Sequence, residues 1–301
     1  MKLAYLTCRD GVVLRHAVAE PAKPATATVL LLHGRGEFIE KYGEVMDRLT
    51  AAGFRVVTFD WRGQGLSDRL TGDRHKGHVD GYQDYLGDLE EVIERLVRPG
   101  QVGRLALLAH SMGGHIALRH LCRRPAGFAA AVFSAPMWDL RMSPSLRLLA
   151  RGGGRLARLF GIEQAYVPRN RYYYGDDRFE GNLRTSDRVR FARFQGHIDA
   201  EPGLALGNPT VGWLDATFDS IDALRREVCL GPPGMPILTL SAGADRIVDN
   251  AAHEAYAAAL PDAEQAVFPD ALHELLQERD DIFEPVLART IAFLSRHTGP
   301  T

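Results

Sequence analysis

Short, uninterrupted apolar runs alternate with longer amphipathic stretches along most of the chain. Residues 29–32 are wholly apolar and lead into His33-Gly34, which is typical of a parallel strand buried on both faces. Residues 82–97 instead repeat apolar side chains at helical spacing and end at Pro99-Gly100. This alternation predicts an α/β fold, with a mostly parallel sheet covered by helices on both faces.

The pattern predicts eight strands and five helices around them. The strands span residues 3–8, 12–18, 29–32, 55–59, 105–108, 130–133, 237–240 and 266–268. The helices span residues 42–52, 82–97, 113–122, 251–260 and 282–294. The first two strands are predicted to form a hairpin, because Asp10-Gly11 between them is a strong two-residue turn signal.

One long stretch lacks this alternation of strand and helix patterns. Residues 138–232 contain no clear buried strand, and about 95 residues are too many for an ordinary connection. We interpret the stretch as a helical cap, or lid, inserted above the carboxyl edge of the sheet. The core domain would then consist of residues 1–137 and 233–301.

Composition excludes several classes of protein. Hydrophobic residues make up 46% and charged residues 25% of the 301 positions, which argues against wholesale disorder. The net charge of −2 argues against a nucleic-acid partner. Three scattered cysteines argue against a disulfide framework, and the N-terminus has no signal-peptide core. We therefore expect a soluble, cytoplasmic protein, with peripheral contact to the inner membrane left open.

The charge is concentrated in the predicted cap. Between Arg141 and Arg193 the chain has twelve arginines, no lysine and five acidic residues. Residues 145–151 and 155–160 mix these arginines with leucines, which predicts a basic amphipathic surface suited to anionic lipid. The alternative is a solvated cap whose leucines pack on the core and whose arginines face water.

The strongest chemical signal surrounds Ser111. The apolar strand at residues 105–108 runs through Ala109-His110 into this serine, and Gly113 follows two positions later. A serine between a buried strand and a helix lies on a strained turn that exposes its hydroxyl above the sheet. The turn needs small residues two positions to each side, and Ala109 and Gly113 are small. The alternative is a serine that only caps an ordinary helix.

A nucleophilic serine needs a histidine base and an acid that orients it. Asp245 and His273 each follow a later predicted strand, and such strand ends share one edge of a parallel sheet. The order Ser, Asp, His matches the arrangement expected for a hydrolase triad on this fold. Asp249 and Asp270 are competing candidates for the acid, and we favour Asp245.

A hydrolase of this kind also needs backbone donors for an oxyanion. We expect one from the N–H of Met112, which follows the nucleophile, and one from Arg35 in the loop His33-Gly34-Arg35-Gly36-Glu37. A plain glycine-rich turn is the alternative for that loop. His75 and His78 lie near acidic residues, but a triad needs no metal, so we expect neither a metal nor another cofactor.

These motifs together resemble the α/β-hydrolase superfamily, and within it the lysophospholipase L2 and monoacylglycerol-lipase branch. The residues that carry the likeness are His33-Gly34-Arg35-Gly36-Glu37, the segment from Asp60 to Ser67, Ala109-His110-Ser111-Met112-Gly113-Gly114, Asp245 to Asp249 and His273-Glu274. The resemblance implies Ser111 as nucleophile, His273 as base, Asp245 as acid, and oxyanion donors at Arg35 and Met112.

The resemblance also implies a function. We expect a serine carboxylic-ester hydrolase that cleaves a monoacyl lipid through an acyl-enzyme, with lysophospholipid favoured over monoacylglycerol. Met137 and Trp138, where the predicted cap begins, could line the pocket for the acyl chain. Two alternatives stay open. One is a serine aminopeptidase-like hydrolase, and the other is a non-catalytic binding module on the same fold.

Overall fold

A computed structural model describes residues 1–124, 127–167 and 178–299. Within them, eight strands form one sheet, and they are β1 (Lys2–Thr7), β2 (Val13–Ala19), β3 (Ala27–Leu32), β4 (Phe54–Phe59), β5 (Leu105–His110), β6 (Ala130–Ser134), β7 (Ile237–Ala242) and β8 (Ala263–Phe268). The sheet order is β1-β2-β4-β3-β5-β6-β7-β8. β1 pairs antiparallel with β2, and β2 with β4. The remaining pairs are parallel, which confirms the predicted sheet.

Helices cover both faces of this sheet. They are α1 (Gly43–Ala51), α2 (Tyr82–Val92), α3 (Ser111–Arg123), α4 (Pro144–Leu159), α5 (Arg188–Ala200), α6 (Val211–Leu230), α7 (Asn250–Ala259) and α8 (Asp280–Thr298). Alternate residues of the central strands face two hydrophobic cores. Leu30 and Leu107 pack in one core, whereas Leu31 and Leu108 pack in the other. The wholly apolar runs in the sequence are therefore strands that are buried on both sides.

Most boundaries are shifted by a few residues from the sequence pattern, and three of the shifts are informative. β8 begins at Ala263 instead of 266, because an edge strand tolerates polar residues such as Glu264. α2 ends at Val92, and the chain continues as a π-helical turn over Ile93–Val97. α3 begins at Ser111 itself instead of at Gly113, so the serine is the first residue of its helix.

Between β6 and β7 the described residues form α4, α5 and α6. α6 packs on the core through Trp213, which is buried and donates to the hydroxyl of Tyr85 over 3.3 Å. α4 in turn packs on α6, and Gly154 allows the close approach, because an added Cβ would lie 2.7 Å from the Cβ of Asp215. No helix in the described part of the chain is long and apolar enough to span a bilayer.

At three of its four arginines, the orientation of α4 differs from both sequence-based expectations, whereas Arg155 is exposed. Arg147, Arg151 and Arg158 neither face water nor form a free basic surface. They pair with Asp139, with Asp219 and Asp222, and with Asp215, respectively. The leucines and an aromatic residue face outward instead, and Leu148, Leu149, Leu159 and Phe160 are between 72% and 76% exposed. The physical reason is the acidic stripe that α6 presents to α4 at helical spacing.

Candidate active site

The nucleophile candidate lies on a strained turn between β5 and α3. Ser111 has φ +50°, in the left-handed region that residues with a side chain rarely adopt. Its surroundings leave no room for larger neighbours. A Cβ added to Gly113 would lie 2.6 Å from the carbonyl oxygen of His33, and one added to Gly34 would lie 3.0 Å from the Cβ of Ser111. This close packing explains the small residues around the serine.

The structure brings Ser111, His273 and Asp245 together. Nε2 of His273 lies 2.9 Å from Oγ of Ser111, and Nδ1 of His273 lies 2.7 Å from Oδ2 of Asp245. The backbone N–H groups of Ile247 and Val248 donate to Oδ1 of Asp245 over 2.7 and 3.1 Å. The carboxylate is therefore held from both sides, and the imidazole is oriented towards the serine.

The competing acids lie elsewhere. The side chain of Asp249 accepts from the N–H of Ala251 over 3.0 Å and caps the start of α7. Asp270 lies in the turn that follows β8, where it is exposed. Asp245 is fully buried and is the acid whose carboxylate contacts His273.

Opposing effects set the charge states of this pair. Burial disfavours the charged form of Asp245, but the charge of His273 and the hydrogen bonds to the carboxylate outweigh burial and hold the pKa of Asp245 below its ordinary value. Burial likewise acts to lower the pKa of His273. The charge of Asp245, its hydrogen bond, and the charges of Glu274 and Glu37 overcome that effect and raise the pKa of His273. The acidic neighbours therefore stabilise the imidazolium that forms when His273 takes up a proton.

The loop at residues 33–37 is fixed against the serine. The indole N–H of Trp61 donates to the carbonyl oxygen of His33 over 2.9 Å, and the N–H of Gly36 donates to Gln64 over 2.8 Å. The N–H of Gly34 donates to the carboxylate of Glu37. These bonds hold the backbone on which Arg35 lies, in a loop whose Gly34 packs against Ser111.

Arg35 and Met112, whose backbone N–H groups are the expected oxyanion donors, are each held by contacts of their side chains. The guanidinium of Arg35 donates to the carbonyl of Gly207 over 2.9 Å and stacks 5.0 Å over the ring of Trp213. The side chain of Arg35 thus ties the loop to the chain between β6 and β7. Met112 follows Ser111 in the first turn of α3, and its sulfur lies 3.7 Å from Nε2 of Gln64.

A buried ionic network that sequence reasoning missed lies beside the triad. Nζ of Lys41 lies 2.5 Å from a carboxylate oxygen of Glu37 and 2.7 Å from one of Glu274. The hydroxyl of Tyr42 also donates to Glu37, over 2.8 Å. Because Glu274 follows His273, Lys41 joins the glycine-containing loop to the loop of the base. The only signal in the sequence is the i,i+4 spacing of Glu37 and Lys41.

Both predicted pocket residues are buried in the same hydrophobic core. The N–H of Met137 donates to the carbonyl oxygen of Ser111 over 2.9 Å, so Met137 lies directly beside the turn. Trp138 is fully buried. Its indole makes edge-to-face contacts with the rings of Phe133, His253 and Tyr256.

Three other histidines contact carbonyl or hydroxyl oxygens. His33 donates from Nδ1 to the carbonyl of Gly34 over 2.7 Å. His110 donates from Nδ1 to the carbonyl of Ser134 over 2.9 Å, and burial lowers its pKa to about 4. His78 contacts the hydroxyl of Thr210 over 2.7 Å. Within the described ranges, no group of three or more potential metal ligands is assembled.

Comparisons with known proteins identify the family of this chain and several relatives. The model of a family described as serine aminopeptidase, S33, matches residues 23–280. Lysophospholipase L2 of Escherichia coli (strain K12) is 33% identical over 290 residues, covering 91% of this chain and 82% of the relative. Monoacylglycerol lipase of Mycolicibacterium smegmatis is 30% identical over 149 residues, covering 49% of this chain and 51% of the relative.

The fold has close counterparts among solved structures. A soluble variant of monoglyceride lipase from Saccharomyces cerevisiae, solved with a substrate analogue, superposes with a TM-score of 0.75 at 23% identity. The match covers 99% of this chain and 96% of that protein. At this identity the likeness shows that the two chains share the same fold.

Proposed function

The chain belongs to the α/β-hydrolase family described as serine aminopeptidase, S33. We propose that it is a serine carboxylic-ester hydrolase acting on monoacyl lipids, like the relatives named lysophospholipase and monoacylglycerol lipase. The observation that carries the proposal is the hydrogen-bonded chain from Ser111 through His273 to Asp245. A strained serine, an imidazole within 3 Å of its hydroxyl and a buried acid behind the imidazole are the parts that acyl transfer requires.

The first half of the reaction forms an acyl-enzyme. Oγ of Ser111 attacks the ester carbonyl carbon while its proton moves to Nε2 of His273. The tetrahedral intermediate collapses, and the carbon–oxygen bond to the alcohol breaks. His273 gives its proton to the leaving oxygen, and the acyl group remains on Ser111.

The second half uses the same groups with water. His273 takes a proton from water as the water oxygen attacks the acyl carbon, and the fatty acid leaves as Oγ of Ser111 regains the proton. Asp245 stays ionised throughout and stabilises each imidazolium. The N–H groups of Arg35 and Met112 would donate to the oxyanion in both halves, and removing one such donor typically costs on the order of 10²–10³ in turnover.

Lysophospholipid is the preferred substrate class in this proposal. The relative named lysophospholipase L2 aligns over 91% of the chain, whereas the relative named monoacylglycerol lipase aligns over 49%. The longer alignment is the reason for preferring lysophospholipid to monoacylglycerol. We propose that Met137, whose N–H donates to the carbonyl of Ser111, contacts the acyl portion of such a lipid.

The stretch at residues 138–232 acts as a cap in this proposal, and the core is formed by residues 1–137 and 233–301. The exposed apolar face of α4 supports a peripheral contact between this cap and a lipid surface. Leu148, Leu149, Leu159 and Phe160 form most of that face. Transfer of each such side chain from water to an apolar phase contributes about 1.5–3 kcal/mol, a larger effect than paired arginines can supply.

A substrate panel tests the proposal. Purified protein and its Ser111→Ala variant are assayed with p-nitrophenyl esters, monoacylglycerols, lysophospholipids and aminoacyl p-nitroanilides. We expect release of fatty acid from lysophospholipid at the highest kcat/KM, and loss of every ester activity in the variant. Hydrolysis of the aminoacyl anilides alone would favour an aminopeptidase instead. Equal activity in the wild-type protein and the variant would contradict the role of Ser111.

A further inference from the structure

The loop that carries the base is held by the chain between β6 and β7. We call residues 272–279 the base loop and residues 184–190 the brace. Backbone groups that follow His273 in the base loop contact the brace. These contacts join the N–H of Glu274 to the carbonyl of Arg184 over 2.7 Å, the carbonyl of Gln277 to the hydroxyl of Thr185 over 2.6 Å, and the carbonyl of Glu278 to the guanidinium of Arg190 over 2.7 Å.

The side chain of Glu278 links the two ends of the base loop. It is fully buried, and Oε1 of its carboxylate accepts from the N–H of Leu272 over 2.9 Å. Both of its oxygens accept from the N–H of Ser186 over 3.2 Å, and Oε2 accepts from the Ser186 hydroxyl and from the N–H of Arg279. One carboxylate therefore joins the residue before His273 to the brace.

The position of His273 depends on these contacts of the base loop. The imidazole of His273 must reach Ser111 and Asp245 at once, over 2.9 and 2.7 Å. Its backbone is fixed by the N–H of Leu272 on one side and the N–H of Glu274 on the other. A displacement of about 1 Å at such a site can cost on the order of 10²-fold in rate.

We propose that Glu278 is a positioning residue for His273, and that the brace is part of the catalytic scaffold instead of a movable lid. This inference rests on the proposed function, because it assigns His273 the role of base. Glu278 does not touch the reacting atoms. It acts through the backbone of the base loop, so its effect falls on the rate of chemistry and not on substrate affinity.

Glu278→Gln is the informative variant. A carboxylate only accepts hydrogen bonds, whereas an amide turns an NH₂ group towards at least one of the converging donors. We expect kcat on a p-nitrophenyl ester to fall by roughly 10–100-fold, with KM within about twofold of the wild-type value. The low-field proton resonance of the His273–Asp245 hydrogen bond should weaken or shift in the same variant.

Glu227→Gln is the matched control. Glu227 lies on α6 and accepts hydrogen bonds from Arg119 and Arg123, away from the base loop. The same chemical change there should lower thermal stability and leave kcat and the low-field resonance unchanged. A Glu278→Gln protein that matches this control in both readouts would overturn the proposal.

Ser186→Ala decides the question if Glu278→Gln does not fold. It removes one hydroxyl donor and leaves the contact between Glu278 and Leu272, so we expect kcat to fall by roughly 3–10-fold. An unchanged kcat in this variant overturns the proposal. Failure of the proposed function looks different, because the wild-type protein would then hydrolyse none of the esters in the panel.

Discussion

α4 and the brace belong to the same stretch of chain but are held in opposite ways. α4 presents an apolar face to the outside, with three of its leucines and the adjoining Phe160 more than 70% exposed. In the brace, Arg184, Thr185 and Arg190 are buried, and Thr185 is only 2% exposed. The comparison separates a surface that can meet a lipid aggregate from a structure that fixes the catalytic base.

Arginine serves different purposes in the two regions. On α4, arginines pair with the acidic stripe of α6 and so leave the leucines outside. In the brace, Arg190 is buried and contacts Glu44, Asp187 and Asp280 as well as the carbonyl of Glu278. A count of positive charges therefore does not reveal which surface is basic. The partners of each guanidinium decide that.

The largest effect is expected at Asp245, the acid that orients the base. Asp245→Asn should lower kcat by about 10⁴-fold, because the amide favours the wrong tautomer of His273. Asp249→Asn is the matched control, since Asp249 caps α7 and does not contact the base. Steady-state kinetics of the two proteins check this. A comparable loss in both would show that Asp245 has no special role.

The second-largest effect is expected in the ionic network of Lys41, Glu37 and Glu274, next to the brace. Lys41→Met should destabilise the protein by about 3–5 kcal/mol, because Glu37 and Glu274 would remain buried without their partner. Since Glu274 follows the base, activity should fall as well, and Lys41→Arg should recover part of both. Urea unfolding and kcat measure the two effects. Wild-type stability for Lys41→Met would contradict the importance of the network.

Polar substitution of the outer face of α4 should have a selective effect. A variant with Leu148, Leu149, Leu156 and Leu159 each changed to Ser should lose binding to lipid vesicles while keeping its kcat on a soluble ester. We expect vesicle affinity to fall at least tenfold, because four exposed apolar side chains are removed. Co-sedimentation measures the binding. Undiminished vesicle binding would show that the lipid contact lies on another surface.

The pH dependence gives the smallest expected effect. Hydrolysis needs neutral His273, and the charges of Asp245, Glu274 and Glu37 raise its pKa, against the opposing effect of burial. Activity should therefore rise with pH through a midpoint above the ordinary histidine value of about 6.5. The profile of kcat/KM against pH checks this. A midpoint below 6.5 would mean that burial outweighs the acidic neighbours.

The sequence allowed prediction of the sheet and of the residues that meet at its edge. Ser111, Asp245 and His273 each follow a predicted strand, and parallel strands bring such ends together. The brace and the lysine network could not be predicted, because Lys41 and Glu274 come together only when the chain is folded. Helical periodicity predicted that α4 has an apolar face. Whether that face points inward or outward depends on acidic residues far along the chain, such as Asp219, which pairs with Arg151.

Labelling with a fluorophosphonate, followed by mapping of the modified peptide, tests the central assignment most directly. The reagent reacts covalently with a serine that an adjacent base activates. We predict one label per chain, on Ser111, and none on the Ser111→Ala protein. An unlabelled wild-type protein, or equal labelling of the variant, would contradict the assignment of Ser111 as the nucleophile.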